Sequence, residues 1–348
     1  MRILILGKNY PAIQFVKLFS KNKENIVFTD AKGFPFSVEF SSIEDIVEFT
    51  KANEINLVVI IDEEYIDFGL GELITSMNIT VFAPTSDAIL LSSSKISAKK
   101  FMYKNKIQTP KFQIAEKPQQ ALEYAKSNPM PLVFKPDNHN FIETAHFAET
   151  QNEAIKTINN LFNNGNKKIL IEDYIEGKNL SVWTISDGYS AKIIGTSAKY
   201  QNDIAYFEPD FLTDKIRYDI QNNFINPTIE ALSNTDEIYV GILGFDFILT
   251  YDDEPFLVNY NSFFDDINVD FYTQGFDLKW EEVFESVITG DVFLKYDFKP
   301  KSKYMVAFWQ DDEINFIKTN TKTNLKRYLN DLDYDLEELN EAKSIWRY

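Results

Sequence analysis

From Met1 to Thr85 the chain repeats one pattern, in which a short apolar run is followed by a stretch with apolar residues at helical spacing. The runs fall at Ile3 to Leu6, Ile26 to Thr29, Leu57 to Ile61 and Val81 to Ala83. The stretches between them are Ala12 to Phe19, Ile43 to Thr50 and Gly71 to Met77. Strands that are apolar throughout must be covered on both faces, and amphipathic helices between them can do this only around a parallel sheet. The pattern therefore predicts a Rossmann-like unit over residues 1–88. Its first turn reads Gly7-Lys8-Asn9-Tyr10-Pro11. It lacks the G-x-G-x-x-G that lets a backbone approach a dinucleotide pyrophosphate, which disfavours a nicotinamide cofactor.

Beyond this unit the alternation changes. A polar helix is expected from about Ser86 to Tyr103, and Thr109-Pro110 ends it. Residues 111–181 read as a compact α+β subdomain, with strands at Leu132 to Lys135 and Lys168 to Tyr174. Strands follow at Leu180 to Ser186 and Ala191 to Ser197, then a helix from about Thr213 to Leu232. A β-hairpin comes next, with arms Phe245 to Thr250 and Phe256 to Asn261 around the turn Tyr251 to Pro255. The Asn-rich segment Asn159 to Asn166 reads as a helix end and turn. Strands at Tyr304 to Trp309 and Ile314 to Lys318, with a charged helical tail, predict a small α+β cap over residues 291–348. The fold class is thus multidomain, mixing α/β and α+β units.

Charge and composition remove several function classes. With 35 basic and 53 acidic residues the formal charge is −18, which repels a nucleic acid or an anionic membrane surface. A small phosphorylated molecule is still compatible, since a few lysines and helix N-terminal amides can hold phosphate within an acidic protein. There is no cysteine, and the two histidines are His139 and His146. Thiol nucleophiles, thiolate metal sites and histidine-based triads are therefore poor readings. The opening apolar run is too short for a signal sequence, and no run approaches the ~18 residues of a membrane span. A cytoplasmic protein without membrane or nucleic-acid partners is expected.

Four features point toward chemistry. Lys95 opens the helical stretch Ser94-Lys95-Ile96-Ser97-Ala98-Lys99-Lys100-Phe101; a lone helix lysine is ordinarily just solvated. Lys135 closes the apolar strand Leu132-Val133-Phe134-Lys135, where a cation needs an anion to hold it. A second apolar strand runs into acids and a glycine turn, Ile169 to Gly177 through Glu172, Tyr174 and Ile175, and such an edge can present a carboxylate and backbone groups to an adenine. Strand alternation puts Asp246, Asn259 and Asn261 on one face, an oxygen set that suits magnesium held between nucleotide phosphates.

These residues resemble the ATP-grasp superfamily, and within it phosphoribosylamine-glycine ligase. The segment Phe82-Ala83-Pro84-Thr85-Ser86-Asp87-Ala88, followed by Ser94-Lys95 and Phe101, is similar to the family's F-G-P-T-x-x-A and S-K-x-F-x-K-x-F. Further matches are Asn53 to Val59, the strand ending at Lys135, Ile171 to Gly177, Ser186-Asp187-Gly188 and Leu257 to Asn261, so the resemblance spans roughly residues 1 to 265. It implies a pre-ATP-grasp domain over 1–88, an ATP-grasp domain over 89–290 with a lid at about 111–181, and the C-terminal cap. It also implies ATP and Mg2+ as cofactors, and a carboxylate and an amine as substrates, with phosphoribosylamine and glycine suggested by resemblance alone. A monomer or homodimer is implied as well. Carried over, Lys95 contacts the α-phosphate, Lys135 bridges phosphate and adenine, Glu172 with the Tyr174 and Ile175 backbone reads the adenine edge, and Asn179 takes the ribose position. Asp246, Asn259 and Asn261 take the metal.

The departures from the family pattern are concentrated at these positions. The glycine-rich loop after the strand-end lysine becomes Pro136 to Thr144 without glycine, the ribose acid becomes Asn179 and the metal glutamate becomes Asn259. The D-H-K-R segment becomes Ala198-Lys199-Tyr200-Gln201, and the N-terminal G-G-R-E-H-A is absent. Two readings stay open: an ATP-dependent ligase, and a catalytically degenerate relative that serves as a nucleotide-binding or regulatory protein. An interaction protein without nucleotide is disfavoured by the retention of Lys95, Lys135 and Glu172.

Overall fold

The computed structural model describes residues 1–66, 69–137, 145–200, 204–207, 211–233, 239–289, 298–310 and 313–331. The expected N-terminal sheet is present. Strands β1 (Arg2–Leu6), β2 (Ile26–Thr29), β3 (Leu57–Ile60) and β4 (Thr80–Phe82) pair in parallel in the order β2-β1-β3-β4. Alternate residues face opposite cores, which is why each strand is apolar throughout. Ile3, Ile5, Val27, Leu57 and Val59 pack under α1 (Tyr10–Phe19), while Leu4, Leu6, Phe28, Val58 and Ile60 pack with Ile46 of α2 (Ile43–Ala52). Helices α3 (Glu63–Ile66) and α4 (Leu70–Thr75) complete the layer.

The helix expected from Ser86 to Tyr103 is two helices, α5 (Ser86–Ser93) and α6 (Lys95–Lys104). Ser94 is extended, with φ −122° and ψ 109°, and its hydroxyl accepts the Ser97 amide as the N-cap of α6. A serine inside a helical pattern competes for backbone donors in this way, and here the cap prevails over continuation. The break makes Lys95 the first residue of a helix rather than a mid-helix side chain.

The segment expected to form a lid is a four-stranded antiparallel sheet of β5 (Phe112–Ala115), β6 (Leu132–Pro136), β7 (His146–Ala148) and β8 (Ile169–Asp173), in the order β5-β8-β6-β7. Helices α7 (Pro118–Ser127) and α8 (Gln151–Asn163) cover one face, burying Leu132, Phe134, Ile169 and Ile171. The other face carries Val133, Lys135 and Glu172. The Thr150–Glu153 capping box starts α8, and Asn164 followed by Gly165 at φ +90° ends it, so the Asn-rich segment is a helix end as expected.

The body is a seven-stranded antiparallel sheet. It contains β9 (Gly177–Asp187), β10 (Ala191–Tyr200), β11 (Ile204–Phe207), β12 (Val240–Thr250), β13 (Pro255–Asn261), β14 (Tyr304–Gln310) and β15 (Glu313–Thr319), in the order β13-β12-β9-β10-β11-β14-β15. One face buries Leu180, Val182, Phe245, Phe247 and Tyr260 against α9 (Asp214–Ile220), a π turn at Gln221–Ile225 and α10 (Asn226–Ser233). The other face shares a core with the N-terminal sheet through α11 (Asp266–Gly275) and α12 (Trp280–Ile288), in which Phe82 stacks on Phe284 at 3.7 Å. The two strands expected in the C-terminal cap are formed, and through β11 they extend this same sheet. Helix α13 (Lys322–Asn330) closes over them with Leu325 and Leu329. The end of the charged tail, 332–348, lies outside the described residues. No helix among the described residues is long and apolar enough to cross a membrane.

Candidate functional site

Two clusters of polar side chains carry most of the expected site residues, one on the lid and one on the body sheet. The first lies on the inward face of the lid. Val133 pairs with Glu172 across β6 and β8, so Lys135, two residues along β6, shares that face with Glu172. The Lys135 ammonium meets one Glu172 carboxylate oxygen and the Lys99 ammonium meets the other at 2.5 Å. All three side chains are buried, Lys99 and Glu172 almost completely. Burial would raise the Glu172 carboxyl, but the charges of Lys135 and then Lys99 outweigh it and hold the group below the ordinary carboxylate range. Burial also pulls Lys99 down to about 8, against the attraction of Glu172. Glu172 is therefore an anion that organises two cations.

Lys99 has a second partner. Its ammonium donates to the Thr109 hydroxyl, which donates to the Leu257 carbonyl at 2.7 Å. Leu257 lies on β13, two residues before Asn259, so this chain of bonds leads from the lid cluster to the second cluster.

The second cluster is on the body sheet. Asp246 of β12 is in register with Asn259 of β13 and with Ser181 of β9. The Ser181 hydroxyl donates to Asp246 Oδ1 at 2.6 Å, Asn261 Nδ2 donates to Asp246 Oδ2 at 2.7 Å, and Asn259 Nδ2 donates to Asn261 Oδ1 at 3.2 Å. Asp246, Asn259 and Asn261 thus share one face, as expected, but alternation alone gives this only for the two asparagines; a register shift between Asp246 and Phe247 sets Asp246 opposite Asn259 instead of Val258. Asn179 is two residues before Ser181 on β9, opposite Ile248. Gly177 starts β9 because a Cβ there would meet the Leu249 carbonyl oxygen at 2.3 Å, so the hinge turn needs a glycine for close approach.

The remaining expected site residues frame these clusters. Lys95 opens α6, whose N-terminus is closed by the lid: Asp137, directly after β6, accepts from the Ser94 hydroxyl at 3.0 Å and the Ile96 amide at 3.1 Å. Tyr174 and Ile175 follow β8, and the Tyr174 ring packs edge-on against Phe147 of β7 at 4.9 Å. The loop expected over the phosphates lies outside the described residues from 138 to 144, and His139 with it. His146 is an exposed residue of β7.

The donor set can be tested against magnesium. Among the described residues no group of three or more His, Cys, Asp or Glu side chains could hold a metal. One carboxylate and two carboxamides on a shared face do fit a hard cation that arrives already bound to phosphates, because Mg2+ commonly takes only one or two carboxylates from the protein. Asp246 and Asn261 are the residues that would hold it, with Asn259 beside them.

Sequence reasoning missed three members of the site. Lys99 stands in the quoted motif as its second lysine, four residues after Lys95, and that helical spacing was the available signal. Ser181 requires the β9–β12 register. Thr109, followed by Pro110, signals only the end of a helical unit. A cavity of about 560 Å3 lies elsewhere, at the β12–β13 turn and the π turn, lined by Lys106, Lys215, Asp219 and Glu254, and none of the expected site residues lines it.

The comparisons with known proteins concern the family and the fold. A curated phosphoribosylamine–glycine ligase of Helicobacter pylori is 26% identical over 246 residues, covering 66% of this chain and 57% of that protein. The chain thus spans rather less than two thirds of that relative's length. A phosphoribosylamine–glycine ligase structure from Thermotoga maritima superposes with a TM-score of 0.72 at 17% identity, covering 96% of both chains. The biotin carboxylase domain of 2-oxoglutarate carboxylase from Hydrogenobacter thermophilus, solved with MgADP, gives 0.66 at 14% identity over 88% of this chain and 74% of that one. The profile of the phosphoribosylglycinamide synthetase ATP-grasp (A) domain matches residues 93–269, just over half of the sequence, and the chain belongs to that family.

Proposed function

We propose that the chain binds ATP between lid and body and uses it to join a carboxylate to an amine. The observation that carries this reading is the pairing of Lys135 with Glu172 on the lid's inward face, since a buried ammonium fixed there is placed to receive phosphate oxygens. In the family reaction the γ-phosphoryl group passes from ATP to a carboxylate oxygen and ADP leaves. The amine nitrogen then attacks the acyl carbon, phosphate departs, and the nitrogen loses a proton as the amide forms. Mg2+, when bound, would neutralise phosphate charge during transfer. Lys95 at the start of α6 would hold the α-phosphate, Lys135 the phosphates from the lid side, and the Tyr174–Ile175 backbone the adenine edge, with Asn179 near the ribose. Asp246 and Asn261 would hold the cation on the body side. No protein nucleophile is required, in keeping with a chain that has no cysteine.

The substrates under this reading are an amino acid and an amine, phosphoribosylamine and glycine being the pair named by the curated relatives. The setting is cytoplasmic and the protein a monomer or homodimer. A second reading, nucleotide binding without turnover, is favoured by Asn259 standing where the family has an acid. One experiment separates the two. ADP release is measured with ATP, magnesium and panels of carboxylates and amines, beside thermal unfolding with ATP. A ligand at ~100 times its dissociation constant stabilises by about 2.7 kcal/mol, enough for a clear shift. Release that needs both co-substrates supports the ligase, stabilisation without release supports the second reading, and the absence of both release and stabilisation rejects ATP binding altogether.

A further inference from the structure

We propose that Lys99 is a positioning residue for the nucleotide: held on α6 of the body, it fixes the Glu172 carboxylate that in turn fixes the Lys135 ammonium of the lid. The inference rests on the ATP-binding reading above and adds a residue to it.

The lid grips α6 at two places. Asp137, at the end of β6, accepts from the Ile96 amide and the Ser94 hydroxyl at the helix N-terminus. One turn further along, Glu172 of β8 takes the Lys99 ammonium at 2.5 Å. Lys95 and Lys99 are four residues apart on the same helix and so lie on one side of it. Seating the lid on this side therefore sets the relation between Lys95 on the body and Lys135 on the lid. A nucleotide held by both lysines would depend on that relation.

Lys99 does more than brace the interface. Glu172 divides its two oxygens between Lys99 and Lys135. While Lys99 is an ammonium the carboxylate is shared, and Lys135 keeps charge to offer a phosphate. If Lys99 lost its proton, the carboxylate would pair with Lys135 alone and draw it back. Among the described residues, the charged and titratable groups facing Lys99 are Glu172 on β8 and Lys135 on β6. The packed strand β13 offers the Leu257 carbonyl through Thr109, and the Tyr260 phenol of that strand is turned into the core beneath. Burial has already brought Lys99 to about 8, so this proton is lost within an accessible range.

The test is ATP affinity by titration calorimetry between pH 7 and 9 on the full-length wild type, Lys99→Arg and Lys99→Met, with folding checked by circular dichroism. The wild type is expected to weaken by about tenfold across the range, Lys99→Arg to stay flat because its guanidinium does not titrate there, and Lys99→Met to be about tenfold weaker at pH 7 and flat thereafter. A wild-type profile that matches Lys99→Arg overturns the inference, as does unaltered binding by Lys99→Met. Should Lys99→Met fail to fold, the comparison of wild type with Lys99→Arg decides alone. A wild type that binds no ATP at any pH overturns the nucleotide reading itself, whereas binding that is insensitive to both substitutions overturns only the role of Lys99.

Discussion

Asn261 donates its side-chain amide to Asp246 across the β12–β13 pair at 2.7 Å, on the carboxylate oxygen opposite the one that Ser181 holds. Both oxygens of Asp246 are thus already met by neutral donors. A cation arriving with ATP would have to displace the Asn261 amide and turn its carbonyl inward. Asn259, in register with Asp246, is the position where a second carboxylate would ease this. Asn259→Glu is expected to tighten ATP binding about tenfold with magnesium and to leave it unchanged with a chelator. Calorimetry under the two conditions checks this; equal gains in both would remove magnesium from the proposed role of this face.

Lys135 and Glu172 are partners, yet their removal should have opposite consequences. Lys135→Ala leaves the carboxylate paired with Lys99, so the fold should survive while ATP binding is lost. Glu172→Ala leaves two buried ammonium groups side by side and should destabilise by about 3–5 kcal/mol. Urea unfolding and ATP titration on the two variants give the contrast. A stable Glu172→Ala protein, or ATP binding retained by Lys135→Ala, contradicts the arrangement.

At the hinge, Gly177→Ala should be costly without any change of charge. The added methyl would lie 2.3 Å from the Leu249 oxygen, and that oxygen belongs to a strand that cannot recede without breaking the β9–β12 ladder. A loss of at least about 2 kcal/mol in urea is expected, of the size seen when well-packed sites are overfilled. A neutral outcome would mean that the hinge can shift freely.

Much of this was legible in the sequence where one local rule decided the outcome. Apolar strands such as Leu57 to Ile60 announce burial on both faces, and period-two alternation puts Asn259 and Asn261 on one face of their strand, whereas Asp246 joins them only through the register shift between Asp246 and Phe247. The resemblance to the ATP-grasp family, drawn from residues such as Ser94-Lys95 and Ile171 to Gly177, is borne out by the family match over 93–269. What escaped depends on register and on competition. Ser181 reaches Asp246 only once β9 is aligned with β12. The break at Ser94 follows from a hydroxyl that caps a helix instead of lying within one. Lys99 carries no signal of burial in its own helix; Glu172, which holds it, arrives from more than seventy positions away.

The buried triad also sets how stability responds to pH, and its two shifted groups act at opposite ends. The Glu172 carboxyl is held below its ordinary value when folded, so near and below that value the unfolded chain takes up the proton first. Its contribution is present above the ordinary carboxylate range and is lost as pH falls through the folded value. Lys99 is lowered from 10.5 to about 8, so between these values the unfolded chain is protonated where the folded chain is not. In that window the Lys99 contribution to stability grows with rising pH. Urea midpoints measured from pH 3 to 10 should therefore fall on the acid side for the wild type, and the difference between wild type and Lys99→Met should widen in favour of the wild type from about pH 8 upward. If that difference stays constant across the alkaline range, Lys99 keeps its ordinary affinity for the proton and the triad is less tightly enclosed than its geometry implies.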